Sequence, residues 1–125
     1  MEYPSNRGKW GGGSWGRSFK RLAPTESPSV KDIAWAAGVF EGEGTCRDQM
    51  GNGSPQLSVA QKDAWLTARL RALFGGSNKQ YVGSNGYVYW KWWLTGPRAR
   101  GFLMTIYVMC SPRRQLQIRQ ALGCE

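Results

Sequence analysis

Two short runs of glycine, asparagine and serine constrain this chain most. Gly51-Asn52-Gly53-Ser54 and Gly83-Ser84-Asn85-Gly86 hold residues that reach left-handed backbone angles at little cost, as tight strand reversals require. Each is flanked by strand-like stretches, residues 45–50 and 56–61 around the first, residues 79–82 and 87–95 around the second. In the last stretch Val88, Trp90, Trp92 and Leu94 alternate with Tyr87, Tyr89, Lys91, Trp93 and Thr95. Strand side chains point to opposite faces in turn, so the first set is predicted to face a core and the second to face outward. Thr45, Arg47 and Gln49 repeat the polar alternation, and Gln56, Ser58 and Ala60 oppose Leu57 and Val59.

Helical punctuation surrounds these hairpins. Asp32, after Ser29, is a suitable N-cap for a helix over residues 33–42. Asp63 caps a second helix that carries Trp65, Leu66, Leu70, Leu73 and Phe74 on its apolar side and stops at Gly75-Gly76. Pro97 opens a third helix reaching about Met109, and Ser111-Pro112 opens a last one ending at Gly123. The predicted order is helix, strand, strand, helix, strand, strand, helix, helix. That order is an α+β fold with helices on one face of an antiparallel sheet.

Ahead of this pattern, residues 1–31 read as a basic arm rich in glycine and tryptophan, with residues 32–125 as the folded domain. The arm reads as flexible, and Trp10 and Trp15 in it could stack on bases, lie along phosphates or pack onto the chain's own domain. The N-terminus lacks the apolar stretch of a signal peptide, and no run approaches the roughly 20 apolar residues of a membrane span. The expectation is an intracellular protein without membrane attachment, in cytoplasm, nucleoid or an organelle. Cys46, Cys110 and Cys124 show no CxxC spacing and no nearby histidine, so they read as free thiols.

Charge narrows the function. Seventeen Lys and Arg stand against 8 Asp and Glu, a net charge of +9, with no histidine at all. Histidine-dependent nucleophilic catalysis and His-ligated zinc are excluded, while a polyanionic partner, most simply nucleic acid, is indicated. On the outward strand faces Arg47, Gln49, Gln56, Ser58, Lys79, Gln80, Tyr87, Tyr89, Lys91 and Trp93 are the candidate DNA contacts. Arg69 and Arg71, on the second helix, read as plain surface or phosphate contacts.

The first helix carries the informative motif, Ala36-Ala37-Gly38-Val39-Phe40-Glu41-Gly42-Glu43-Gly44. Ala34, Gly38 and Gly42 fall four residues apart and make one stripe of small residues, along which a second helix could approach closely. Two carboxylates close the helix at its negative dipole end, an unfavourable position that a divalent metal would offset.

This segment resembles the signature helix of the LAGLIDADG homing endonucleases: a small pair, Gly38, two apolar residues, acid, small, acid, Gly44. Trp35 and Thr45 resemble the family's flanking residues. The run Pro55-Gln56-Leu57-Ser58-Val59-Ala60-Gln61-Lys62-Asp63 resembles its second strand entering its second helix. The αββαββα order resembles the family's, over residues 32–122. The resemblance implies a saddle-shaped sheet and double-strand DNA cleavage at a long, roughly palindromic site, assisted by Mg²⁺ or another divalent ion such as Mn²⁺. Glu43, with Gly42 beside it, would hold the metal, and Gln61 would orient water. Arg113 or Arg114, or more weakly Lys62, would supply the active-site cation. One motif per chain implies a homodimer, packed through Ala34, Ala37, Gly38, Glu41 and Gly42, with Glu41 structural. Both acids are glutamate where the family usually carries aspartate at least once. That departure leaves open a catalytically inactive relative of the maturase or transcription-factor kind. A sequence-neutral single-strand binder, using the arm and the aromatic run Trp90 to Trp93, is a third reading.

Overall fold

The computed structural model describes residues 22–124. Its elements follow the predicted order: α1 (Val30–Glu43), β1 (Gly44–Asp48), β2 (Pro55–Gln61), α2 (Ala64–Phe74), β3 (Ser77–Val82), β4 (Val88–Thr95), α3 (Gly96–Ile106) and α4 (Pro112–Ala121), with a 3-10 turn at Tyr107–Met109 before α4. The fold is α+β, an αββαββα unit with a further C-terminal helix.

α1 begins earlier than predicted, because Ser29 is its N-cap. The Ser29 hydroxyl accepts the Asp32 N–H at 3.1 Å and the Asp32 carboxylate accepts the Ser29 N–H at 2.9 Å. Asp32 is thus the third helical residue of a reciprocal capping box rather than the cap itself. Asp63 caps α2 as predicted, accepting the Trp65 N–H at 2.9 Å.

The sheet order is β1-β2-β4-β3, with every neighbouring pair antiparallel. Each glycine-rich reversal joins one hairpin, and β2 and β4 pair at the centre with Leu57 opposite Leu94 and Val59 opposite Trp92. Those side chains meet Phe40 of α1, Leu70 of α2, Phe102, Leu103 and Ile106 of α3, and Ile118 of α4 in one buried cluster. Trp92 is fully buried at its centre and donates its indole N–H to the Gly75 carbonyl at 2.8 Å, so its one polar atom is satisfied. The Gly75-Gly76 pair does more than end α2. Both adopt positive φ, +77° and +95°, and a Cβ on Gly76 would press into the Trp93 carbonyl at 2.6 Å.

Three local expectations change. Trp65 is 48% exposed, edge-on to Trp35, while Thr67 and Ala68 are buried in its place. Val88, at the strand's outer end, is 42% exposed. The segment from Leu22 belongs to the folded unit: Leu22 pairs with Gly76, Thr25 and Glu26 donate to the Ala72 carbonyl, and Arg69 bridges Glu26 and Asp32. The rest of the arm, with Trp10 and Trp15, lies outside the described residues. Among the described residues no helix is long and apolar enough to cross a membrane.

Candidate active site and nucleic-acid interface

α1 passes into β1 with no intervening residue, so Glu43 ends the helix and Gly44 begins the strand. The junction demands glycine, because a Cβ at Gly44 would overlap the buried Phe40 ring. Gly44 pairs with Val59, which carries the end of β2 past Glu43. A cleft of about 500 Å³ results, lined by Glu43, Ala60, Gln61, Lys62, Tyr87 and Tyr89. Glu43 and the neighbouring pair Gln61 and Lys62, distant from it in sequence, are therefore brought together. Glu43 is exposed and makes no hydrogen bond or ion pair among the described residues. Gln61 accepts the Lys62 N–H through its side-chain oxygen at 3.0 Å, and the Lys62 ammonium sits 4.9 Å from the Tyr87 ring centroid.

Arg113 and Arg114 do not join this cleft. Arg114 is only 8% exposed. Its guanidinium lies 5.2 Å from the Phe40 ring centroid, with Nε donating to the Glu41 carbonyl at 3.2 Å and Nη1 to Gln117 at 2.8 Å. It ties α4 to the last turn of α1. Arg113 reaches outward and approaches Glu41 at 3.8 Å. Lys62, the weaker expectation, is the cation in the cleft.

Glu41 is engaged within the chain's own fold. Its carboxylate accepts the Ser111 N–H at 2.9 Å and the Ser111 hydroxyl at 2.7 Å, at the N-terminus of α4, where negative charge is favoured. The Ser111 N–H first, then its hydroxyl, hold the Glu41 carboxyl below the usual carboxylate range, against the opposing effect of desolvation. The two motif acids thus separate: one is used in folding, the other faces the cleft.

Among the residues expected at a helix–helix contact, Ala34, Gly38 and Gly42 are exposed along α1. Ala37 is 3% exposed and belongs to the chain's own core. A Cβ at Gly38 or Gly42 would meet nothing within 4 Å, so no packing among the described residues calls for glycine there.

The sheet face turned from the core carries Thr45 beside Ser58 and Trp93, Arg47 beside Gln56, and Lys91 between Ala60 and Lys79. The Thr45 and Ser58 hydroxyls lie 3.0 Å apart, and Arg47 donates to Gln56 at 3.1 Å. A hollow of about 200 Å³ opens there, with Lys91 also in its wall. None of the strand residues on this face is acidic. Gln80 departs from expectation: it pairs with Trp90 and shares the helix-side face. Gln49 lies beyond β1 in the reversal, donating its N–H to the Ser54 carbonyl at 3.0 Å. Tyr81, not singled out from sequence, stacks on Tyr89 with centroids 5.4 Å apart and planes 10° apart; its signal was its two-residue spacing from Lys79. Arg69 is held by Glu26 and Asp32. Arg71 is half-buried, and burial alone lowers its guanidinium's affinity for the proton.

Metal-binding capacity is limited in the single chain. Among the described residues no group of three or more His, Cys, Asp or Glu could hold an ion. All three cysteines are free, and burial pushes the Cys46 thiol up to about 11, which leaves it a poor ligand and nucleophile. No protein-family model and no curated protein matches this chain.

Proposed function

We propose that this chain is a homodimeric, site-specific double-strand DNA endonuclease of the LAGLIDADG type, acting by divalent-metal-dependent phosphodiester hydrolysis. The observation that carries this reading is the cleft in which an unpaired Glu43 meets Gln61 and Lys62 beside an acid-free basic sheet face.

The donor chemistry fits a metal in part. An exposed carboxylate suits Mg²⁺ or Mn²⁺, but one carboxylate falls well short of an octahedral shell. Glu43 and the adjacent Gly42 backbone would hold the ion together with Glu43 of a second copy and phosphate oxygens of DNA, and the ion would stabilise charge on the phosphodiester oxygens. Lys62 offers its ammonium to the scissile phosphate. Gln61, its side-chain oxygen engaged by the Lys62 N–H, keeps its amide N–H donors for water or a phosphate oxygen. The second copy would pack along Ala34, Gly38 and Gly42. Two exposed glycines within a helix cost up to about 1 kcal/mol each against alanine, and close approach of another backbone is a sufficient reason for them. Two-fold symmetry then matches a long pseudo-palindromic site.

Purified protein, a randomised duplex library and Mg²⁺ test the reading. Products with defined ends are expected, lost in Glu43→Gln while duplex binding persists. Equal cleavage by Glu43→Gln overturns the catalytic assignment. The single carboxylate in the cleft favours one second reading, a nucleic-acid-binding relative of the same fold that no longer cuts. Sequence-selective binding without cleavage by the wild type would establish it. A monomer that loses binding on deletion of residues 1–21 would instead point to a single-strand binder.

A further inference from the structure

Three tyrosines outside the core, Tyr81, Tyr89 and Tyr87, form a continuous row with a lysine at each end. Lys79 Nζ lies 4.6 Å from the Tyr81 centroid, Tyr81 stacks on Tyr89 at 5.4 Å, Tyr89 meets Tyr87 at 6.1 Å, and Lys62 Nζ lies 4.9 Å from the Tyr87 centroid. The row crosses from the edge strand β3 over β4 to the end of β2, and its last member also lines the Glu43 cleft. We infer that this row is a phosphate rail that grips the backbone of the DNA strand passing Glu43, and that base reading belongs to the Arg47, Gln56, Thr45 and Ser58 half of the face. The inference rests on the DNA-binding part of the proposed function and assigns separate tasks within that surface.

Three observations support the division. Each of the three rings already has another ring or an ammonium against it, which leaves less open ring surface for a base to stack on. What the row offers is ammonium and phenol hydroxyl, donors that suit phosphate oxygens, which only accept. Base edges present donors and acceptors together, and the mixed hydrogen-bonding partners Arg47–Gln56 and Thr45–Ser58 match that requirement.

The second observation is electrostatic. Lys79 stands directly across from Lys91 on the neighbouring strand. Two lysines so placed concentrate positive charge on this part of the face, and a phosphate between them would be attracted by both. The third is position. A strand laid along Lys79 and Tyr81 runs on to Lys62 and into the cleft with Glu43 and Gln61, so the rail sets which phosphate arrives there.

Salt dependence separates phosphate contacts from base contacts. Each phosphate neutralised by a lysine contributes about −0.9 to the slope of log Kobs against log salt. Affinities of the full chain for a set of duplexes, measured across salt concentrations, are compared for wild type, Lys79→Gln, Tyr81→Phe and Arg47→Gln, with thermal unfolding as a check on folding. Tyr81→Phe keeps the stacked ring, so it remains informative if a lysine variant folds poorly.

Lys79→Gln is expected to weaken every duplex by a similar factor and to reduce the slope by about 1. Tyr81→Phe should weaken all duplexes similarly with the slope kept. Arg47→Gln should reorder the duplexes. If Lys79→Gln changes the ranking at particular base pairs while keeping the slope, the row reads bases and the rail is wrong. An unchanged slope and affinity in Lys79→Gln overturns it too, even where the wild type cleaves DNA. A wild type that binds duplexes but never cuts sinks the nuclease reading and leaves the rail standing. Failure to bind any duplex removes both.

Discussion

Substituting Gly44→Ala tests the junction that places Glu43. The added methyl would overlap the Phe40 ring, which is fully buried, lies edge-on to Phe102 at 6.0 Å and is covered by the Arg114 guanidinium. The ring has no room to retreat, so the substitution overpacks the core at a cost of about 1–3 kcal/mol. For a folded unit of this size, a loss of 2 kcal/mol lowers Tm by about 8–16 °C. Calorimetry or thermal circular dichroism measures this directly. A double-mutant cycle isolates the cause. Phe40→Leu trims the ring and costs stability by itself, yet Gly44→Ala added to it should cost about 1 kcal/mol less than in the wild-type background. If Gly44→Ala is neutral in the wild type, or costs the same in both backgrounds, the ring is not what requires glycine. In the endonuclease reading the substitution also shifts Glu43, so cleavage should fall further than the unfolded fraction explains.

Other consequences are separate and quick to measure. Glu41, its carboxyl held below its ordinary value of 4.5, contributes stability that is present above pH 4.5 and lost as pH falls through the lower folded value. Denaturation midpoints should therefore drop on acidification below about pH 4.5, and Ser111→Ala, which removes the hydroxyl but keeps the N–H, should flatten that dependence in part; an unchanged acid limb would show that the Ser111 hydroxyl does not hold Glu41. Arg114→Met keeps much of the packing on Phe40 but leaves the Glu41 carbonyl and Gln117 without their donor, for a loss of about 1–3 kcal/mol in urea unfolding. Arg114→Met as stable as the wild type would argue that the guanidinium is not structural.

Much of the fold was legible because its punctuation is chemical. Glycine at the two reversals, Asp63 and Ser111 at helix starts and Gly75-Gly76 at a helix end each have few alternative uses. From the turns and the alternation of Leu57, Val59, Trp92 and Leu94, the sheet follows. The meeting of Glu43 with Gln61 was expected only through the family resemblance, because the predicted helix stopped at residue 42 and the predicted strand began at 45, whereas the structure runs the helix through Glu43 straight into a strand at Gly44. Arg114 was not. An arginine in the first turn of a helix reads alike whether it faces a phosphate or a phenyl ring, and only packing selects Phe40. Gln80 was misplaced and Tyr81 passed over because a short edge strand gives too few alternating residues to show which face is buried. Ser29 and Asp32 are both good caps, and their reciprocal bonding needs the backbone between them to be helical already.

The direct passage from α1 to β1 has an entropic consequence. A carboxylate carried on a loop must be ordered each time it acts, at about 1–2 kcal/mol per backbone residue fixed. Glu43 is bounded on one side by hydrogen-bonded helix and on the other by the Gly44 pairing with Val59. Its backbone is ordered once, when the chain folds, and little of that cost recurs when a ligand enters the cleft.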